Sequence, residues 1–354
     1  MGNAIEFEPT EEQFGIFWKY LEDKNVTGIN YNGKQLWITD LKRGRYQAKE
    51  EFAGNFLAQF MNTIANCVNK QFNNAYPVLE ADTKELRISI LHDRVAKSGI
   101  SISIRKSPPM IRNTIDQLIK SRYCDEAMLH FLMNCVRAKL NFVFAGKPEV
   151  GKTECMKFFM QFIPKEERVI TVEDSLELHY GDINPAHDYV ELQVSENFDY
   201  RKAIKASLRQ DADWLVLSEA RSSEVEALLE AWSTGISGFT TIHLDDLRKL
   251  PDRIGNMMDN KEAAERIEDR VYSDVDVGVL IRMKKDGKHG IERYIDQIGL
   301  YCREDGENRL YFLLDNKEKK SEKLPAEVMK KFKRAGIADP FYCEKMEEYR
   351  RCGK

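Results

Sequence analysis

The stretch Gly146-Lys147-Pro148-Glu149-Val150-Gly151-Lys152-Thr153 constrains the fold more than any other part of the chain. A glycine, four residues, a second glycine, then lysine and a hydroxyl residue is the spacing of a phosphate-binding loop. The first glycine turns the chain. The loop N–H groups then face inward, where a polyphosphate can sit, and the following helix adds its N-terminal dipole. In that chemistry Lys152 reaches the outer phosphates, the Thr153 hydroxyl holds Mg²⁺, and Glu154 lies in the first helical turn. So short a pattern needs its setting. Asn141-Phe142-Val143-Phe144-Ala145 reads as a buried strand before it, and Cys155, Met156, Phe158, Phe159 and Phe162 recur at helical spacing until Pro164. Strand, loop, helix is the required order. The interior is unusual: Pro148, Glu149 and Val150 stand where many such loops carry glycine or serine. Glu149 would bring a negative charge close to phosphates unless it points outward.

The 354 residues allow two domains, and the net charge of -4 provides no global attraction to nucleic acid or anionic lipid. No apolar run approaches the length that spans a bilayer. Met1 to Glu6 lacks a basic region followed by an apolar core, so no signal peptide is expected. Seven dispersed cysteines fit free thiols in a reducing cytoplasm.

Thr10 is positioned to cap a helix carrying Phe14, Phe17, Trp18 and Leu21 on one face. Thr27 to Asp40 reads as a hairpin around Asn32-Gly33. Phe52, Phe56, Phe60, Ile64 and Val68 form a stripe at spacing four, whose plain reading is core packing. Leu86, Ile88 and Ile90, then Ile100, Ile102 and Ile104, alternate with polar residues as half-buried strands do. Residues 1–106 are therefore expected to form a small α+β domain, with 107–110, around Pro108-Pro109, as linker. From 111 to 315, helices alternate with short apolar runs, the α/β pattern of a mostly parallel sheet. Val275 to Met283 and Ile291 to Tyr301 flank an expected turn at Asp286-Gly287. Residues 316–354 are expected to be a charged C-terminal extension. Within it Lys317 to Lys323 reads as a solvated run, and Pro325 to Arg334 as a helix.

Ligands of open parallel sheets lie beyond the carboxyl ends of the strands. Glu173 and Asp174 follow one apolar run, Ser218, Glu219 and Arg221 a second, and His243 a third. An acid there can simply cap the next helix, and a lone histidine is commonly a surface group. Three such strand ends beside a phosphate loop instead fit nucleoside triphosphate hydrolysis, which needs Mg²⁺, a placed water and cations.

Leu208 to Arg221, with Asp213-Trp214-Leu215-Val216-Leu217-Ser218-Glu219-Ala220-Arg221 at its end, resembles the Walker B region of the type II/type IV secretion ATPase superfamily. Thr171-Val172-Glu173-Asp174 is similar to its Asp box. Thr234-Gly235, Gly238 and Thr240-Thr241-Ile242-His243 are similar to its His box. Ile104-Arg105-Lys106 matches a signature closing its N-terminal domain, and Val26 to Gly33 resembles its opening segment. Ser218 replaces the family glycine, and Ile236 a common histidine. The short N-terminal domain and the lack of a four-cysteine zinc motif resemble the type IV secretion and Tad-like pilus branch.

The resemblance implies a RecA-like P-loop ATPase domain behind a smaller α+β domain, assembled as a homohexamer with ATP between domains. It implies a motor for secretion, conjugation or pilus assembly that partners inner-membrane components at the cytoplasmic face, peripherally associated, with no nucleic acid required. Gly146, Lys147, Pro148, Glu149, Val150, Gly151, Lys152, Thr153 and Glu154 would surround ATP, and Thr153 and Glu219 would serve Mg²⁺. Glu173 and Glu219 would share catalytic and metal duties, His243 would sense the terminal phosphate, and Arg105 and Arg87 would reach the nucleotide from the N-terminal domain. Arg221 is expected to brace Glu219 or a subunit interface. A nucleotide-gated scaffold with little hydrolysis and a RecA-like nucleic-acid motor are the competing readings.

Overall fold

The computed structural model describes residues 7–222, 224–258, 261–286, 290–320 and 324–351. The N-terminal stretch read for a signal peptide lies outside the described residues, as do Gly287 of the expected turn and residues 321–323 of the charged run. The chain divides into two compact units, Met1–Pro109 with Lys285–Glu292, and Met110–Lys284 with Arg293–Lys354.

The first unit is a sheet covered by helices. Its strands are β1 (Val26–Tyr31), β2 (Leu36–Asp40), β3 (Gly44–Ala48), β4 (Val78–Asp82), β5 (Leu86–Leu91) and β6 (Ser101–Lys106), in the order β3-β2-β1-β6-β5-β4. Neighbours pair antiparallel throughout. The alternation seen in sequence sends Ile88, Ile90, Ile102 and Ile104 into one core with Phe60 and Ile64 of the helix Phe56–Cys67. The aromatic stripe is core packing: the Phe17 ring meets Phe52, Phe56 and Phe60 edge-on at centroid distances of 5.8, 5.5 and 5.1 Å. The helix expected after Thr10 is shorter. Thr10 makes a capping box with Gln13, but the chain leaves helical space at Gly15 (φ 48°), so Glu11–Phe14 and Trp18–Glu22 are separate helices around the 3₁₀ turn Gly15–Phe17. Ile291 also belongs to this unit, its N–H donating to the Lys42 carbonyl at 3.1 Å.

The second unit holds β7 (Phe142–Gly146), β8 (Val169–Glu173), β9 (Tyr189–Gln193), β10 (Trp214–Leu217), β11 (Ser237–His243), β12 (Val277–Asp286), β13 (Gly290–Glu304), β14 (Glu307–Asp315) and β15 (Glu318–Lys319). They form one sheet in the order β15-β14-β13-β12-β7-β11-β10-β8-β9. The run from β12 through β9 pairs parallel, while β13, β14 and β15 pair antiparallel along the other side. Parallel strands covered on both faces read as continuous apolar runs, and β7, β8 and β10 are buried at every position. Phe142 and Phe144 face one core, and Val143 and Ala145 the other.

The C-terminal residues do not form a separate charged extension. Val328, Phe332, Ile337, Cys343, Met346 and Tyr349 enter the same core as Phe142 and Phe144. The helix Ala326–Arg334 puts lysines and arginine outward and two buried apolar side chains inward, so a charge-rich sequence still packs. Asn134, fully buried on the helix Glu126–Arg137, fastens the last segment. Its side-chain amide donates to the carbonyls of Pro340 and Tyr342, each at 3.0 Å. The described cysteines Cys67, Cys124, Cys135, Cys155, Cys302 and Cys343 are free thiols.

Removing a buried donor leaves its acceptors unsatisfied at a cost of about 1–3 kcal/mol each. Asn134→Ala is therefore expected to lower unfolding free energy by about 2–4 kcal/mol in urea titrations. A change below about 0.5 kcal/mol would show that the amide does not hold the C-terminal segment.

Candidate active site

The phosphate loop runs from the end of β7 to the helix Lys152–Met160. Gly146 (φ 154°) cannot carry a side chain, because a Cβ there would lie 2.7 Å from both the Ile281 carbonyl oxygen and Val150 Cγ2. Val150 is 4% exposed and belongs to the core under the sheet, which accounts for an apolar residue inside the loop. Glu149 takes a left-handed conformation (φ 64°), the region that favours glycine. It is exposed, as are Lys147 and Pro148. Burial lowers the proton affinity of the nearby Arg293 guanidinium, and Glu149 and Glu154 are among the charges that raise it again. Thr153 is half-buried, and Glu154 lies 3.5 Å from Arg112 Nε and 4.0 Å from Lys157 Nζ.

Parallel register brings the next groups in. In β11, His243 pairs in register with Gly146, β10 lies beyond β11, and β8 beyond β10. Lys152 Nζ is 3.2 Å from the Lys147 carbonyl and 3.1 Å from His243 Nδ1. His243 Nε2 lies 2.8 Å from Glu219 Oε1. An ammonium only donates, so Nδ1 accepts from Lys152 and the ring proton sits on Nε2, donating to Glu219. Burial and the Lys152 charge both lower the proton affinity of His243, which suits this neutral tautomer. Arg221 donates from Nη2 to Glu219 Oε2 at 2.8 Å and from Nη1 to Asp174 Oδ2 at 2.7 Å. Lys152, His243, Glu219, Arg221 and Asp174 thus form one continuous chain of polar contacts.

Glu173 is placed differently from Glu219. It is fully buried, and its Oε2 accepts the N–H groups of Glu177 and Leu178 at 2.9 and 3.0 Å. Its Oε1 is buried with no hydrogen-bond partner. Desolvation pushes this carboxyl up to about 8, against the two N–H bonds that favour its charged form. Lys157, also fully buried, donates to the Glu177 carbonyl at 3.2 Å, and its proton affinity is lowered chiefly by burial. The two carboxylates read as sharing one task therefore occupy contrasting surroundings.

Arg105 and Arg87 lie in the first unit, directly opposite each other on β6 and β5, and both are exposed. Like charges so placed disfavour the pairing unless a counter-charge is near. Asp82 occupies the next position across, on β4. Asp174, the second partner of Arg221, carries no expectation of that contact in the sequence. Only the spacing of Asp174 one residue beyond Glu173, at a neighbouring strand end, signalled it.

The profile of the Type II/IV secretion system protein family matches residues 75–282. The chain belongs to that family. It is similar to an uncharacterised protein of Bacillus anthracis, at 22% identity over 246 residues that cover 69% of this chain and 55% of that protein. The chain thus spans little more than half of that relative. It is also similar to the type IV secretion system protein VirB11 of Brucella suis, at 25% identity over 317 residues, covering 79% of this chain and 86% of VirB11. Among solved structures, the pilus retraction motor PilT with bound ADP superimposes with a TM-score of 0.59 at 15% identity, covering 98% of this chain and 90% of PilT. At that identity the likeness shows the fold: an α/β P-loop ATPase unit with a smaller N-terminal α+β unit.

Two outcomes follow from the surroundings of Glu149 and Glu173. Left-handed strain at a non-glycine residue costs about 1 kcal/mol, and a charge near phosphate repels by a similar amount. Glu149→Gly is expected to leave folding intact and to tighten nucleotide binding about threefold to tenfold in fluorescence titrations. Weaker binding would show that Glu149 assists the nucleotide. The folded chain holds the Glu173 proton up to about 8, while the unfolded carboxyl releases it near 4.5. That stabilisation is whole below the unfolded value and is lost as pH rises through the folded one. Urea midpoints at acid and alkaline pH should show native protein losing ground to Glu173→Gln as pH rises. Parallel pH profiles for the two proteins would contradict this.

Proposed function

We propose that this chain is an ATP-hydrolysing motor of a secretion, conjugation or pilus-assembly machine, working as a homohexamer. The observation that carries the reading is the meeting of Lys152, His243 and Glu219 at adjacent strand ends beside the phosphate loop. The donors fit the ligand. The loop curls so that Lys152 Nζ reaches the Lys147 carbonyl, and a glycine that admits no Cβ opens it. The Thr153 hydroxyl and the Glu219 carboxylate are hard oxygen donors of the kind Mg²⁺ takes. Mg²⁺ bound with the nucleotide would offset charge on the phosphate oxygens.

The residues of the chain divide the remaining work. Loop N–H groups between Gly146 and Gly151, all but that of Pro148, which has none, would hold the phosphates. Lys152 gives up Lys147 and His243 to reach them. Glu219, at the end of a buried strand, accepts the proton of the attacking water. His243, bonded to Glu219 through Nε2, links that carboxylate to Lys152 and hence to occupancy of the loop. Fully buried and turned to backbone N–H groups, Glu173 is better suited to holding the loop after β8 than to proton transfer. Roles for Arg105 and Arg87 toward the nucleotide belong to the same proposal. Among the described residues no helix is long and apolar enough to cross a membrane. The likeness to VirB11, a type IV secretion system protein, supports a place in such a machine. The peripheral position at the cytoplasmic face and the inner-membrane partners belong to the proposal. A second reading, a nucleotide-gated scaffold with little turnover, is favoured by strained Glu149 and by the engagement of Lys152 with His243.

Phosphate release by the purified chain separates these readings. Lys152→Ala and Glu219→Gln are each expected to lower kcat by about 100-fold or more, the range for losing a main transition-state contact. Glu219→Gln should still bind nucleotide. Added DNA should leave the rate unchanged. Ring formation on nucleotide binding with no phosphate release above background would replace the motor reading by the scaffold, and DNA-stimulated release by the nucleic-acid motor.

A further inference from the structure

We infer that Arg221 and Asp174 are positioning residues, which set the orientation of the Glu219 carboxylate by tying the end of β10 to the loop after β8. This rests on the reading that Glu219 takes the proton of the attacking water. A carboxylate on a flexible stem aims a lone pair at one water only if both oxygens are restrained. Here His243 Nε2 holds Oε1 at 2.8 Å and Arg221 Nη2 holds Oε2 at 2.8 Å.

The restraint is itself restrained. The Arg221 and Ser222 N–H groups donate to Glu224 Oε1 at 2.7 and 2.8 Å, which fixes the backbone that carries the guanidinium. The Ala220 N–H donates to the Thr241 carbonyl at 2.9 Å, and the Thr241 hydroxyl to the Ser218 carbonyl at 2.8 Å, so the segment carrying Glu219 is tied to β11 on both sides of it. On the far side, Asp174 Oδ2 receives Arg221 at 2.7 Å while its Oδ1 accepts the Ser175 N–H at 2.9 Å. The same loop is pinned by the two N–H bonds to Glu173. The planar guanidinium thus spans two carboxylates that both have fixed roots, a task its fork geometry suits and a lysine point charge does not.

Magnitude decides what such a bridge is for. The Arg221 side chain is 50% exposed. Ion pairs that open to water contribute about 0–1 kcal/mol to folding, so stability gives little reason for this arrangement. Orientation does, since a misplacement of about 1 Å at a reacting group costs about 100-fold in rate.

The test measures kcat, KM, nucleotide dissociation constant and melting temperature for native protein, Arg221→Ala, Arg221→Lys, Asp174→Asn and the Arg221→Ala/Asp174→Asn pair. Arg221→Ala is expected to lower kcat about 10-fold to 100-fold, with KM and the dissociation constant within about twofold of native and melting unchanged. Arg221→Lys should recover part of the rate. Asp174→Asn should lower kcat several-fold alone and add nothing in the pair, because both changes break one restraint. Native-like kcat in Arg221→Ala overturns the inference. So does a native-like Asp174→Asn, because Arg221 would then act on the nucleotide directly, and so do additive effects in the pair. If native protein shows no hydrolysis that Lys152→Ala abolishes, the reading of Glu219 falls, and this inference with it.

Discussion

Parallel pairing among β7, β11, β10 and β8 is the constraint on which the rest of the second unit depends. Buried on both faces, β7, β8 and β10 have side chains committed to the two cores. Chemistry is therefore left to residues at and just beyond the strand ends. Register then decides which of those residues meet. His243 stands opposite Gly146, and Leu217 opposite Thr240, so the Glu219 segment follows one strand over from the histidine. A slip in register would move every group in the polar chain at once, which makes the packing of Phe142, Trp214 and Phe239 as much a requirement of the site as Lys152 itself.

The same sheet separates two carboxylates that look alike in sequence. Glu219 lies beyond its strand, partly open to water, with charged or polar partners on both oxygens. Glu173 is the last residue of its own strand and stays in the dry interior, where desolvation outweighs two N–H bonds and the carboxyl holds its proton to about 8. Position relative to the strand end, a matter of two residues, sets which acid meets charged partners at the edge of the sheet and which becomes an internal fastener.

Much of this was legible in the sequence because it depends on local order. Apolar runs of four or five residues mark the central strands, and the glycine spacing marks the loop. The polar residues after each run include His243, Glu219 and Asp174. Less was legible where packing overrides composition. β3 reads Gly-Arg-Tyr-Gln-Ala and shows too little alternation to stand out, yet it pairs along all of β2. The last residues are rich in lysine and glutamate, but Phe332 and Tyr349 reach the core at a spacing no local window joins. Asn134 gave no signal, since a helical asparagine is usually solvated and its partners lie about 200 residues away in sequence. The inward turn of Glu173 was invisible for a related reason: its partners are backbone N–H groups, which sequence does not distinguish.

The loop interior shows how a departure from the common pattern is accommodated. A phosphate loop rich in glycine keeps its shape because glycine tolerates left-handed backbone. Here Glu149 adopts φ 64° without that tolerance, so its shape must be held from elsewhere. Val150 supplies the hold. Its side chain is 4% exposed, sits in the core, and closes on Gly146 tightly enough to exclude a Cβ there. Burying a valine contributes about 1.5–3 kcal/mol, more than the strain of one left-handed residue. The loop is thus shaped by packing from beneath rather than by freedom of its own backbone, and the exposed carboxylate at its tip can be carried without unfolding the turn that holds phosphate.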